Sequence, residues 1–162
     1  MTKKKIFIVF ILVVVALILG GCGETDNNSD KEKSSGSTYE TPVKYYTESV
    51  ESGDYKTFKK SFPPFMDIAD EDDLITIRES LEEEYGKDFK ITYKITDKKK
   101  FTDEEIEDEQ EDIGDYCKKN VEVEEGYTLK VKITVKGSEN KKTNEVKMKV
   151  VKIDGEWYYF PI

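Results

Sequence analysis

The sequence predicts an α+β domain, with N-terminal helices packed on a curved antiparallel sheet of about four strands and one acidic helix inserted among the strands. Three observations predict it. Between Tyr39 and Tyr85 the apolar residues recur every three or four positions, and from Phe89 onward they recur every second position. Asp154-Gly155 then separates the last two alternating stretches, a dipeptide suited to a two-residue hairpin turn.

Tyr39, Val43, Tyr46 and Val50 fall on one face of a first helix, with Thr41 as its expected N-cap, Pro42 at the first helical position and Gly53 at its end. Asp54 caps a shorter second helix carrying Tyr55, Phe58 and Phe62, which Pro63-Pro64 stops. A third helix aligns Leu74, Ile77 or Arg78, Leu81 and Tyr85 and closes at Gly86. The period then changes: Phe89, Ile91, Tyr93 and Ile95 alternate with Lys90, Thr92, Lys94 and Thr96, a strand with one buried face. Thr102 and Glu105 have capping-box spacing, and Phe101 and Ile106 stand at the hydrophobic-staple positions, so the inserted helix runs from 102 to about 118.

After Val121 and Val123, Tyr127, Leu129, Val131, Ile133 and Val135 alternate with lysines and threonines that belong on the wet side of the sheet. A turn around 137–141 leads into Val146, Met148 and Val150. Val151 breaks the alternation and Ile153 resumes it in the other phase, which predicts a β-bulge. Residues 156–160 form the last strand, where Trp157, Tyr158, Tyr159 and Phe160 put large rings on both faces. If both faces are apolar, one of them lines a cavity or a partner surface.

Ahead of the domain, Lys3-Lys4-Lys5 precedes an unbroken apolar run over 6–19, and Gly20-Gly21-Cys22 follows. Charged, apolar and small is the order of an export signal, and a run of about 14 residues falls short of the ~20 that a spanning helix needs. Leu19-Gly20-Gly21-Cys22 resembles a bacterial lipobox, which implies a lipid on the Cys22 thiol and cleavage after Gly21. Residues 23–37 contain no aliphatic or aromatic side chain and read as a flexible tether reaching at most about 50 Å. The expected organisation is a signal peptide over 1–21, a lipidated cysteine and tether over 22–37, and a single domain over 38–162. The expected location is the extracytoplasmic side of the cell membrane, with the lipid on Cys22 as the membrane contact.

Cleavage before Cys22 removes three of the 26 basic residues and none of the 35 acidic ones, leaving a formal charge of −12. So acidic a chain is repelled by nucleic acid and by anionic head groups, and no nucleic-acid partner is expected. Lipidation of Cys22 would leave Cys117 without an intramolecular partner, so a hydrophobic core must hold the fold. Cys117 reads as a small apolar residue near a helix end, and Asp112 and Asp115 beside it argue against a low thiol pKa.

Helices first, then a long antiparallel meander ending in KVVKIDGEWYYF over 149–160, resembles the small Gram-positive lipoproteins whose mature domain has the cystatin-like fold of the nuclear transport factor two superfamily. The likeness lies in element order over 38–162; the acidic insert departs from its plainest form and puts strand pairing near Val121 in question. It implies a cone between helices and sheet, in a superfamily of enzymes, ligand carriers and protein-docking domains. The enzymes, as the resemblance implies, place an Asp with a His or Tyr inside the cone.

This chain has no histidine, which removes the commonest general base, the serine triads and imidazole metal sites. Asp67 or Asp70 with Tyr93 is formally available, but no spacing singles the pair out, so no catalytic residue is assigned and the chain is not expected to be an enzyme. Residues 103–115 hold nine acidic side chains and no basic one, yet a helix splays carboxylates that calcium would need to converge. The stretch reads as a solvated charged face; no metal and no cofactor are expected. Most of the ten tyrosines fall on buried stripes. Tyr93, Tyr127 and Trp157 are the candidates for the inner wall of a cavity. The expectation is a non-catalytic module that binds a ligand or an envelope protein. The alternatives are a structural envelope module with a filled core and, third, a small enzyme using a carboxylate in the cone.

Overall fold

A computed structural model describes residues 37–66 and 70–161; Leu19, Gly20, Gly21, Cys22 and Asp67 lie outside the described residues. Helices α1 (Thr41–Ser52), α2 (Tyr55–Lys59) and α3 (Glu71–Tyr85) come first. Then come β1 (Lys90–Lys100), α4 (Asp103–Cys117), β2 (Glu125–Lys136), β3 (Lys141–Ile153) and β4 (Glu156–Phe160). The strands pair in sequence order as one open antiparallel sheet, so the α+β class is the one the periodicity predicts.

The helix boundaries follow from local chemistry. The Asp54 carboxylate accepts from the N–H groups of Lys56 and Thr57 at the start of α2. Reciprocal capping boxes, Asp70 with Asp73 and Thr102 with Glu105, open α3 and α4. The first helix differs from expectation by one position: Glu40 is its N-cap, and the Thr41 hydroxyl accepts from Thr38 N–H at 2.9 Å instead of capping. At the other end Arg78, the only arginine, donates to the carbonyls of Val50 and Glu51 and lies 5.5 Å from the Phe89 ring centre. It supplies partners to orphan carbonyls that the end of α1 could not satisfy alone.

One face of the sheet, the helix face, carries Leu129, Val131, Met148, Val150 and Trp157, packed on Val43 of α1. Tyr46, Val50, Phe58, Phe62 and Leu74 continue that layer among the helices. A second cluster, Phe101, Ile113, Val121, Val123, Val151, Ile153 and Phe160, lies on the other face and is covered by α4. The core is therefore on both sides of the sheet at the end where β3 meets β4.

This corrects the expected bulge at Val150 and Val151. The β2–β3 register runs unbroken from Glu125↔Lys152 to Lys136↔Lys141, so these valines point to opposite faces, and both are buried because both faces are covered there. The same cover accounts for the rings on both sides of β4, with Trp157 and Tyr159 toward the helices and Tyr158 and Phe160 toward α4. The register shift is in β1 instead, between Ile95 and Asp97. Val121 and Val123 are buried without forming a strand; Val123 N–H donates to Gln110 Oε1 at 3.0 Å. Asp154 (φ 52) and Gly155 (φ 80) form the β3–β4 turn with both residues left-handed, the geometry that favours this dipeptide.

The chain itself supplies partners to some of the donors on both sheet edges. Ser37 Oγ accepts from Trp157 N–H at 3.1 Å and the Ser61 carbonyl from Tyr159 N–H at 2.7 Å, while Glu51 takes Ile91 N–H of β1 at 2.7 Å. Among the described residues, the buried clusters all lie within Ser37–Ile162, which forms one compact unit. Among the described residues no helix is long and apolar enough to cross a membrane.

Candidate functional site

Two of the three sequence candidates, Tyr127 and Trp157, meet beside Tyr39 at the start of the described fold. Trp157 is fixed by the β3–β4 hairpin and is 7% exposed. Its ring centre lies 5.5 Å from Tyr127 and 6.4 Å from Tyr39, and Tyr39 and Tyr127 are 5.3 Å apart. The three rings fill one another's contact surfaces. Tyr93 belongs to the same apolar cluster but sits opposite Ile133 on β1. Burial raises its hydroxyl pKa, and the negative charges of Glu40 and Glu48 add to the rise.

The register shift in β1 decides what caps this corner. Before it, odd-numbered residues of β1 face the helices; after it, Lys98 stands opposite Leu129 and Lys100 opposite Tyr127, on the helix face. The Lys98 ammonium lies 4.4 Å from the Tyr39 ring centre and 5.8 Å from that of Tyr127, and donates to the Tyr39 hydroxyl at 3.1 Å. That hydrogen bond is the main reason its pKa is raised. Lys100 pairs with Glu125 at 2.7 Å, and the Tyr127 hydroxyl reaches the same carboxylate at 3.4 Å. The aromatic box thus holds its own cation, an arrangement suited to a firm entry point for the chain.

Tyr39 and Lys98 are the residues of this corner that sequence reasoning missed. Tyr39 reads as the start of a helical stripe but stands just before α1, and Lys98 reads as part of a polar run. The signal for Lys98 was the end of the β1 alternation at Thr96-Asp97.

The other candidates have local roles. Asp70 is committed to the N-cap of α3, its carboxylate accepting from Asp73 N–H at 2.9 Å. Cys117 closes α4 against the outer cluster, half-buried, and burial pushes its thiol pKa up. Glu109 of α4 is buried beneath the helix, paired through one oxygen with Lys149 of β3 while the other oxygen has no hydrogen-bond partner. An open depression of about 500 Å³ lies between Gln110, Glu111 and Asp115 of α4 and the segment 118–121. Among the described residues no three acidic or thiol side chains converge as metal ligands would. Comparison with protein-family models, with curated proteins and with solved structures finds no match to this chain.

Proposed function

We propose that the chain is a lipoprotein anchored on the extracytoplasmic side of a membrane through lipid on Cys22, presenting a non-catalytic cystatin-like domain that binds a partner. The observation that carries the anchor is Leu19-Gly20-Gly21-Cys22 at the end of a basic and then apolar segment, followed at once by a polar tract. That tract reaches Ser37, whose hydroxyl is the first contact of the described fold. Lipid on one cysteine with two acyl chains would hold the domain at the surface, since each buried methylene contributes ~0.8 kcal/mol.

Incorporation of a labelled fatty acid tests the anchor. The full chain takes up label and fractionates with membranes, whereas Cys22→Ala takes up none and is released or left unprocessed. Equal labelling of the two ends the lipoprotein reading.

The packing of Tyr39, Tyr127 and Trp157 favours the second form of the reading, in which the domain works through its outer surface on envelope proteins and not through a ligand cavity. The absence of histidine and the commitment of Asp70 to a helix cap support a role without chemistry.

A further inference from the structure

On the outer face of the sheet, beyond the part that α4 covers, lysines stand side by side across strands. Lys90, Lys136 and Lys141 share one row; Lys94, Lys132 and Glu145 share another; Lys130 stands between Asp97 and Lys147. Seven lysines stand here against Asp97 and Glu145 of the sheet, with Lys90 paired to Glu51 at the edge and Lys130 to Asp97, in a chain whose formal charge is −9. Like charges directly opposite on neighbouring strands are destabilising. Among the described residues no carboxylate lies within 4.0 Å of Lys94, Lys132, Lys136, Lys141 or Lys147.

The counter-charge sits next to it. In α4, Asp103, Glu104, Glu107, Asp108, Glu111, Asp112 and Asp115 are all exposed, and none of them is in an ion pair among the described residues. Tyr116 at the same end is 44% exposed, the kind of ring that anchors interfaces. A helix is about 10 Å across, so α4 rises above the lysine floor as a step. A flat anionic bilayer would meet the acidic step before the floor. Phosphate polymers would find no aromatic ring on the floor to stack on and no arginine there, since Arg78 is held at the end of α1.

A second copy of this chain meets neither obstacle. We infer that the chain self-associates as a two-fold dimer in which α4 of each copy lies on the bare lysine floor of the other's sheet. The floor from Lys130 to Lys136 is about 23 Å long and, over three strands, about 15 Å wide. The 15 residues of α4 make a rod about 22 Å long, which fits that seat. Two such seats bury on the order of 1,000 Å² in all, near the floor for a specific interface, so the dimer is weak and salt-dependent. Its symmetry is closed: each step fills the other's recess and no surface is left to propagate a fibre.

Sedimentation equilibrium on residues 37–162, which form one compact unit, tests this at about 0.1 mM protein. In about 20 mM salt the mass is that of a dimer, and in about 0.5 M salt, where screening acts over about 4 Å, that of a monomer. The triple variant Lys94→Glu, Lys132→Glu, Lys136→Glu is monomeric at low salt, and so is Glu107→Lys, Asp108→Lys, Glu111→Lys. Mixed together, the two variants form a heterodimer, because the reversed floor of one meets the reversed helix of the other while the second seat keeps its original lysines and acidic helix; that recovery also shows that both variants are folded. A monomer at low salt, a dimer indifferent to either set, or no heterodimer on mixing overturns the proposal. So does a wild-type monomer that co-sediments with phosphatidylglycerol vesicles through the three lysines, which would assign the floor to a membrane. The outcome is independent of Cys22, which lies outside the fragment.

Discussion

At Glu109 a buried carboxylate is met by a single partner. Lys149 takes one of its oxygens and the other has none, while the surroundings are Ile113, Val151 and the rest of the outer cluster. A pair of this kind bears its desolvation cost without full compensation, and replacing the buried charge by an apolar side chain of similar length is commonly neutral or stabilising. Lys149 is not stranded by the change, because its side chain is 39% exposed and can hydrate. The expected outcome for Glu109→Met is a urea midpoint equal to or above that of the parent chain. Glu109→Ala, which leaves a void under α4, lowers it. A Met variant destabilised as much as the Ala variant would mean that the ion pair contributes net stability. Arg78 is the opposite case: its guanidinium serves two carbonyls, a carboxylate and the Phe89 ring at once, so the sole arginine of the chain is structural.

Among the elements, α1 and β1 are joined by one carboxylate. Glu51 near the end of α1 accepts from the outward N–H of Ile91 and pairs with Lys90 at 2.9 Å, so that one donor of the edge strand is not left free. Burial acts to raise the Glu51 pKa, but the Ile91 hydrogen bond, the Lys90 ammonium and Arg78 together hold it below the ordinary carboxylate range. A carboxyl depressed in the folded state contributes stability that is present above its unfolded pKa, about 4.3, and is lost as pH falls through the folded value. Glu51→Gln should therefore be less stable than the parent at neutral pH, with the gap narrowing as the pH is lowered below about 4. Urea titrations at several pH values measure it, and a gap independent of pH would show that the carboxylate's charge is not what holds the edge.

Across the whole molecule, the reading from sequence succeeded where one local signal fixed one element. The capping box at Thr102 and Glu105, the left-handed Asp154-Gly155 turn and the period-two run from Tyr127 each specified their structure without tertiary help. It failed where burial depends on what packs from far away in the chain. Val150-Val151 predicts a bulge only in a strand with one buried face, whereas α4, inserted between β1 and β2, buries the second face as well. In the same way Trp157 is legible as a large buried ring, but the placing of Lys98 over the neighbouring Tyr39 and Tyr127 rings depends on a register shift that three consecutive lysines hide. The acidic helix is thus a structural layer as well as a charged surface: its inner side completes a cluster that includes Phe101, Val151, Ile153 and Phe160. Replacing 102–120 by a short Gly-Ser linker leaves the cluster between the helices and the sheet complete but uncovers the outer one. The expected result is a chain that keeps its far-ultraviolet circular dichroism from the sheet, binds a hydrophobic dye such as ANS, and unfolds at a lower urea concentration with a smaller slope, because less apolar surface remains to be exposed. Dye binding no greater than that of the intact chain would mean that the outer cluster closes without α4 and that the sheet needs only its helix face.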